Sequence, residues 1–176
     1  MYYFVHGTLL RSVKNILKTG YIYAAYYLKD RKYIVTTQTH ETDSKYVFTN
    51  IYDDLLLKSL KPDETMAFGQ ITFIIDPIIL EHKICYFNPG LVSVVNKDSI
   101  VMNKNVPHVL SLVKKNYKYP FILTQEALFY KRISMKYVIG IITNEKNRQH
   151  VQKYLDKYGY DLPIYDKLPP GSIVFE

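Results

Sequence analysis

The sequence contains a single cysteine, Cys85, set among apolar neighbours. One thiol excludes an intrachain disulfide framework and a cysteine-based zinc site, and it points to a reducing compartment, cytoplasmic or nuclear. No apolar run approaches the ~18 residues that a membrane span requires. The first residues lack the basic segment and small-residue cleavage site of a secretory signal, so neither membrane attachment nor export is expected. Glycine is sparse, with seven residues at 7, 20, 69, 90, 140, 159 and 171. They form neither G-x-G-x-x-G nor a P-loop, so a bound nucleotide is held by another route. A G-x-S-x-G elbow and an H-E-x-x-H helix are also missing. His82, His108 and His150 show no ligand spacing, and no metal is expected. No internal repeat, low-complexity tract or linker interrupts the chain.

What is present describes one globular domain over 1–176. Hydrophobic residues make up 48% and charged residues 22% of the chain, enough for a real core. The net charge of +7 is uneven. Residues 1–34 hold Arg11, Lys14, Lys18, Lys29, Arg31 and Lys32 against Asp30 alone, six minus one, or +5. Such a field suits a phosphate-bearing ligand or a nucleic acid.

The most informative stretch is MYYFVHGTLLRSVKNILKTG at 1–20. Met1 to Val5 is an apolar run of strand length. His6-Gly7-Thr8 then breaks it with two hydrogen-bonding side chains and a residue that permits close backbone approach. Val13, Ile16 and Leu17 follow at helical spacing, with Ser12 as the expected N-cap and Gly20 at the C-terminal stop. Further on, 33–37, 45–49, 67–76, 84–87, 121–123, 126–131 and 137–143 read as strands. Short helices are expected from Asn50 to Lys58, from Pro107 to about Tyr119, and from Asn144 to Tyr158 with its stop at Gly159. Lys29 to Lys32 and Asn88-Pro89-Gly90 read as turns, and 36–44 as a polar loop. Residues 160–176 read as an irregular tail. Strands outnumber helices without alternating with them, so the class is α+β.

A second stretch, LTQEALFYKRISMKYVIGII at 123–142, sets Glu126 at the start of an apolar strand. Burial there would raise its pKa unless the carboxylate is hydrogen-bonded.

Together these stretches resemble the ADP-ribosyltransferases of the diphtheria-toxin and poly-ADP-ribose-polymerase group. VHGT at 5–8 and ILKTG at 16–20 match the opening strand and helix of that group. YVFTN at 46–50 matches its tyrosine strand. QEALFY at 125–130 and SMKYVIGI at 134–141 match its glutamate strand and the strand after it. The order is the family's order, and the core it covers is residues 2–143. The resemblance implies a split, mostly antiparallel sheet with short flanking helices and NAD in the cleft. It implies that His6 and Thr8 bind the adenosine ribose and that Gly7 presents its backbone to the nicotinamide amide. Tyr46 would stack on the nicotinamide ring, and Glu126 would bond the 2′-hydroxyl of the nicotinamide ribose. Arg31, in the basic turn, lies where the family's donor loop meets the pyrophosphate. The family's second stacking tyrosine is replaced here by Leu57, and Asp54 stands in place of its serine. Tyr52 or Tyr26 is the candidate substitute. Thr124, two residues before Glu126, argues against arginine as the acceptor.

The expected activity is transfer of a single ADP-ribose from NAD, without a metal, to a protein side chain or a nucleic acid. Cleaving the bond to nicotinamide builds positive charge on the ribose, as in glycoside hydrolysis, and a carboxylate beside it stabilises that charge. Three other readings compete. An RNA 2′-phosphotransferase shares the His-Gly-Thr opening but lacks the strand glutamate. A two-histidine phosphoesterase would use His6-Gly7-Thr8 and His40-Glu41-Thr42, one histidine as base and the other as acid. A non-catalytic NAD- or ADP-ribose-binding module would explain the missing second tyrosine.

Overall fold

In a computed structural model the chain is described over residues 2–31, 44–53, 70–88, 95, 99–102 and 126–166. The strands expected at 33–37 and 121–123, the helix from Pro107, His40, and the apolar run at 173–175 lie outside these residues. So do the side chains of Arg31 and Tyr52.

The elements are β1 (Tyr2–Thr8), α1 (Leu10–Thr19), β2 (Tyr21–Tyr23), β3 (Tyr46–Asp53), β4 (Ile71–Ile75), β5 (Cys85–Asn88), β6 (Ile100–Met102), β7 (Glu126–Tyr130), β8 (Arg132–Ser134), β9 (Val138–Thr143), α2 (Glu145–Tyr158) and β10 (Ile164–Tyr165). Short 3-10 helices span Ala25–Arg31, Pro77–Glu81 and Met135–Tyr137. The described strands form an eight-stranded sheet in the order β10-β9-β4-β1-β3-β7-β5-β6 and a two-stranded ribbon of β2 and β8. All pairs are antiparallel except β9 with β10. The α+β class and the mostly antiparallel sheet are those expected. Among the described residues, no helix is long and apolar enough to cross a membrane.

Successive strand residues point to opposite faces. Phe4, Phe73, Ile141, Phe87 and Phe129 join Val13, Ile16 and Leu17 of α1 and Val151 and Leu155 of α2 in one core. Tyr3, Val5, Ile74 and Ile142 form a smaller cluster of their own. Cys85 is fully buried in the larger core, and burial holds its thiol well above the usual range. It stays protonated, as befits a packing residue.

Several expectations are corrected. His6-Gly7-Thr8 does not end the first strand. Those residues pair with Phe73, Thr72 and Ile71 of β4, so the ladder carries β1 through them. Ser12 is not the N-cap. The helix starts at Leu10 behind Leu9, whose side chain makes no cap bond. The Leu10 N–H instead donates to Gln70 Oε1 at 3.0 Å, so a distant side chain satisfies the orphan donor. Asn50–Asp53 is not the start of a helix. It continues β3, because β1 offers it a full ladder from Val5 back to Tyr2. Lys29–Arg31 lies in a 3-10 helix rather than a turn. The tail contains β10, which docks beside β9. Gly140 of β9 makes room for it: a Cβ there would sit 2.8 Å from the Tyr165 ring.

α2 follows the expectation closely. Asn144 Oδ1 accepts from the Asn147 N–H at 3.0 Å, and Gly159 ends the helix in the left-handed region at φ 72°. A Cβ on Gly159 would meet nothing within 4 Å. Gly159→Ala therefore isolates the backbone term, with an expected loss of about 1 kcal/mol. That appears as a fall in Tm of about 2–4 °C for a chain of this size. An unchanged Tm would mean the helix ends without the left-handed residue.

Candidate active site

The sheet forks at its centre. β1 pairs with β3 only from Tyr2 to Val5, opposite Asp53 to Asn50. Beyond Val5, β1 stays with β4 through Thr8. Beyond Asn50, β3 stays with β7 back to Tyr46, opposite Tyr130. The two arms therefore separate at His6. This split is built from register alone, and it gives the cleft a definite position.

His6 closes the base of the fork. Its Nδ1 lies 2.7 Å from the Phe48 carbonyl on the other arm. A carbonyl can only accept, so Nδ1 carries the proton and Nε2 of the neutral ring is an acceptor. Burial lowers the His6 pKa below its ordinary value, and the bond to Phe48 opposes this in part. At pH 7 the ring is neutral. Thr49, which has no β1 partner at the fork, turns its hydroxyl to the Ala127 carbonyl at 2.7 Å.

The lowered pKa has a stability consequence. The folded chain holds the His6 proton less tightly than the unfolded chain does. The associated stability is complete above the ordinary histidine value of about 6.5 and is lost as pH falls through the lowered one. The urea midpoint should therefore climb on the acid side and flatten above about pH 6.5. His6→Gln should climb less. Superimposable profiles would remove His6 as a buried neutral group.

Glu126 stands one rung from the fork. It pairs with Asn50 of β3 on one side and Asn88 of β5 on the other, and Asn50 pairs in turn with Val5. Two interstrand spacings, about 10 Å, thus separate the Glu126 and Val5 backbones. Glu126 is 4% exposed and Asn88 1%. Asn88 Nδ2 donates to Glu126 Oε2 at 3.3 Å, and Ser99 Oγ donates to Asn88 Oδ1 at 2.7 Å. With its oxygen engaged by the serine, the amide must present its nitrogen to the carboxylate. The result is an oriented carboxylate on a polar row, Asn50–Glu126–Asn88, that crosses three adjacent strands of the sheet. Sequence reasoning missed Asn50 and Asn88, reading one as a helix cap and the other as a turn residue. A buried asparagine closing the apolar strand KICYFN is the signal that was there to be used.

The structure thus brings His6, Gly7 and Glu126 to the fork, with Thr8 further along the β1 arm. Tyr46 is four residues from Asn50 along β3, about 13 Å at strand rise, on the same face as Glu126. Its ring packs edge-on against Tyr86 and Tyr130, each with centroids 5.6 Å away. Tyr52 occupies β3 opposite Tyr3. Tyr26 lies in the first 3-10 helix, 44% exposed.

Residues 1–124 match the model described as a family of unknown function (DUF5846). No curated protein sequence matches the chain. Solved structures do resemble it. Thermus sp. 2.9 DarT in complex with carba-NAD+ superposes with a TM-score of 0.62 at 12% identity, covering 93% of this chain and 94% of that one. The same DarT in complex with ADP-ribosylated ssDNA gives 0.60 at 12% identity over 93% and 92%. Thermosipho africanus DarTG in complex with ADP-ribose gives 0.58 at 11% identity, over 93% of this chain and 49% of that one. The architecture is therefore the DarT ADP-ribosyltransferase fold.

Proposed function

We propose that this chain, which belongs to the DUF5846 family, transfers ADP-ribose from NAD to an acceptor and releases nicotinamide. The observation that carries the reading is the fork, where the strand bearing His6 and the strand bearing an oriented, buried Glu126 come within two spacings of a common gap. The likeness to DarT structures holding carba-NAD+, NAD+ and ADP-ribose supports it.

In this reading NAD is a substrate. Neutral His6 accepts a ribose hydroxyl at Nε2, and Thr8 supports the same ribose. Gly7, without a Cβ, lets the nicotinamide amide approach its backbone. Tyr46 offers a flat ring to the nicotinamide, and Arg31 and Tyr52 are the further residues expected to bind the donor. The C1′–N bond breaks with its electron pair going to nicotinamide, which leaves neutral. The ribose carbon gains positive charge as it does so. Glu126, held by Asn88, accepts the 2′-hydroxyl and stabilises that charge. A nucleophile on the acceptor then attacks C1′ and gives up its proton. One ADP-ribose is transferred per acceptor site. ADP-ribosylated ssDNA in the DarT structure favours a nucleic acid as the acceptor.

The test is incubation with NAD, with and without single-stranded oligonucleotide, followed by mass spectrometry of every component. Free nicotinamide with an ADP-ribose adduct is the expected result. Absence of both NAD binding and turnover sinks the proposal.

A further inference from the structure

We propose that the tyrosine-lined end of the Glu126 face is a docking platform for single-stranded nucleic acid, whose bases stack on the rings. The platform lies at the tip of the β3–β7 arm, beside Tyr86 of β5 and with Tyr26 and Tyr27 of the first 3-10 helix next to it. It rests on the reading that the acceptor is a nucleic acid and borders the donor site at Tyr46, but it does not depend on the chemistry assigned to Glu126.

Its surface is aromatic and open. Tyr130 is 51% exposed and Tyr26 44% exposed, which is unusual for rings of this size. Tyr26 contacts Tyr27, Tyr27 contacts Tyr130, and Tyr130 contacts Tyr46, with centroids 5.3, 6.3 and 5.6 Å apart. Each contact is edge-to-face, so consecutive rings turn their faces in different directions rather than closing on one another. The Tyr27 hydroxyl donates to that of Tyr130 at 3.0 Å, which ties the 3-10 helix to β7 and fixes the array. That bond, first among several causes, pushes the Tyr27 pKa up to about 12. The ring stays uncharged and does not repel a phosphate.

Its charge is positive and unspent. The Lys45 ammonium rests 5.3 Å from the Tyr26 centroid and that of Lys131 5.6 Å from the Tyr27 centroid. Lys83 is bound to the carbonyls of Tyr130 and Arg132, not to an acid. Among the described residues, no carboxylate pairs with these cations. An exposed cation–π contact is weak, so a phosphate oxygen can draw either lysine away. Rings for bases beside free cations for phosphates are the two components of sequence-tolerant single-strand binding. An acidic peptide would meet the charges but leave the rings wet. A duplex would meet the charges but cannot open its base faces.

The test is fluorescence anisotropy with oligothymidylate and oligouridylate, in the absence of NAD, with a duplex of equal length as control. Tyr130→Ala and Tyr26→Ala should each weaken binding about 5- to 150-fold. Tyr130→Phe keeps the ring and loses the oxygen that accepts from Tyr27, so it should bind more weakly than the parent but more tightly than Tyr130→Ala. Lys45→Ala with Lys131→Gly should flatten the salt dependence by about 1.4 in log–log slope, at ~0.7 per phosphate contact. Glycine suits residue 131 because its φ is 68°. Comparison of DNA with RNA tells which nucleic acid is preferred. Unchanged affinity in both alanine variants, or duplex binding as tight as single-strand binding, overturns the platform. NAD turnover, measured separately without oligonucleotide, bears on the fork and on Tyr46, and the affinities above are read without NAD.

Discussion

If the proposed transfer is right, Glu126→Gln should leave NAD bound and lower nicotinamide release by at least about a hundredfold. The change is nearly isosteric. It keeps an oxygen that can accept the ribose hydroxyl and a side chain that Asn88 and Asn50 can flank. What it removes is the negative charge. In the ground state the ribose is neutral and the charge matters little. In the transition state the ribose is cationic, and a buried, oriented anion is worth several kcal/mol, each 1.36 of which is tenfold in rate. The loss therefore falls on turnover and not on affinity. Calorimetric titration with NAD and timed nicotinamide release separate the two. Full turnover in the variant removes Glu126 from the reaction. Loss of binding together with turnover makes it a donor-site residue and leaves the charge argument unsupported.

Phe129→Ala should cost about 3–5 kcal/mol, the usual range for emptying a buried phenylalanine site. For a chain of this length that is a Tm lower by about 6–20 °C. The ring has no exposed surface and meets Phe4 edge-on, with centroids 5.2 Å apart and planes at 83°. Phe4 belongs to β1 and Phe129 to β7, so the pair crosses beneath β3 and ties the arms of the fork on the helix side. Truncation leaves a void that β3 and β5 cannot fill without shifting the ladder that carries Glu126. Urea unfolding checks this: the midpoint should fall with the slope unchanged. A cost below about 1 kcal/mol, the scale of one exposed contact, would mean that the arms are not held by this pair.

The sequence made the local elements legible. α1 and α2 announce themselves through buried residues at helical spacing and glycine stops, since those signals act within a turn or two of the chain. β1 and β7 are apolar runs whose ends carry the chemistry, and their resemblance to one family's motifs pointed to the fold. A split sheet was expected through the family resemblance, but where it forks was not legible. It depends on Asn50 choosing Val5 and Glu126 as partners over a helix of its own, and propensity yields to a ladder on both sides. Nor was the Asn88–Ser99 support of Glu126, which joins residues through side chains that no spacing rule links. The ribbon of β2 and β8 and the short β10 are three and two residues long, too brief for any period to show.

The pairing of Thr49 with Ala127 closes a loop with a sequence separation of 78 residues. Ordering the ends of such a loop costs about 4 kcal/mol in chain entropy, plus a constant. Pairing β1 with β4 closes loops of 63 to 71 residues (Thr8 with Ile71, Phe4 with Ile75) at about the same cost, whereas Asn88 lies only 38 residues from Glu126. A chain interrupted before residue 126 would keep the residues of the His6 arm and lose the carboxylate, and in the proposed reading it would lack the group that stabilises bond breaking.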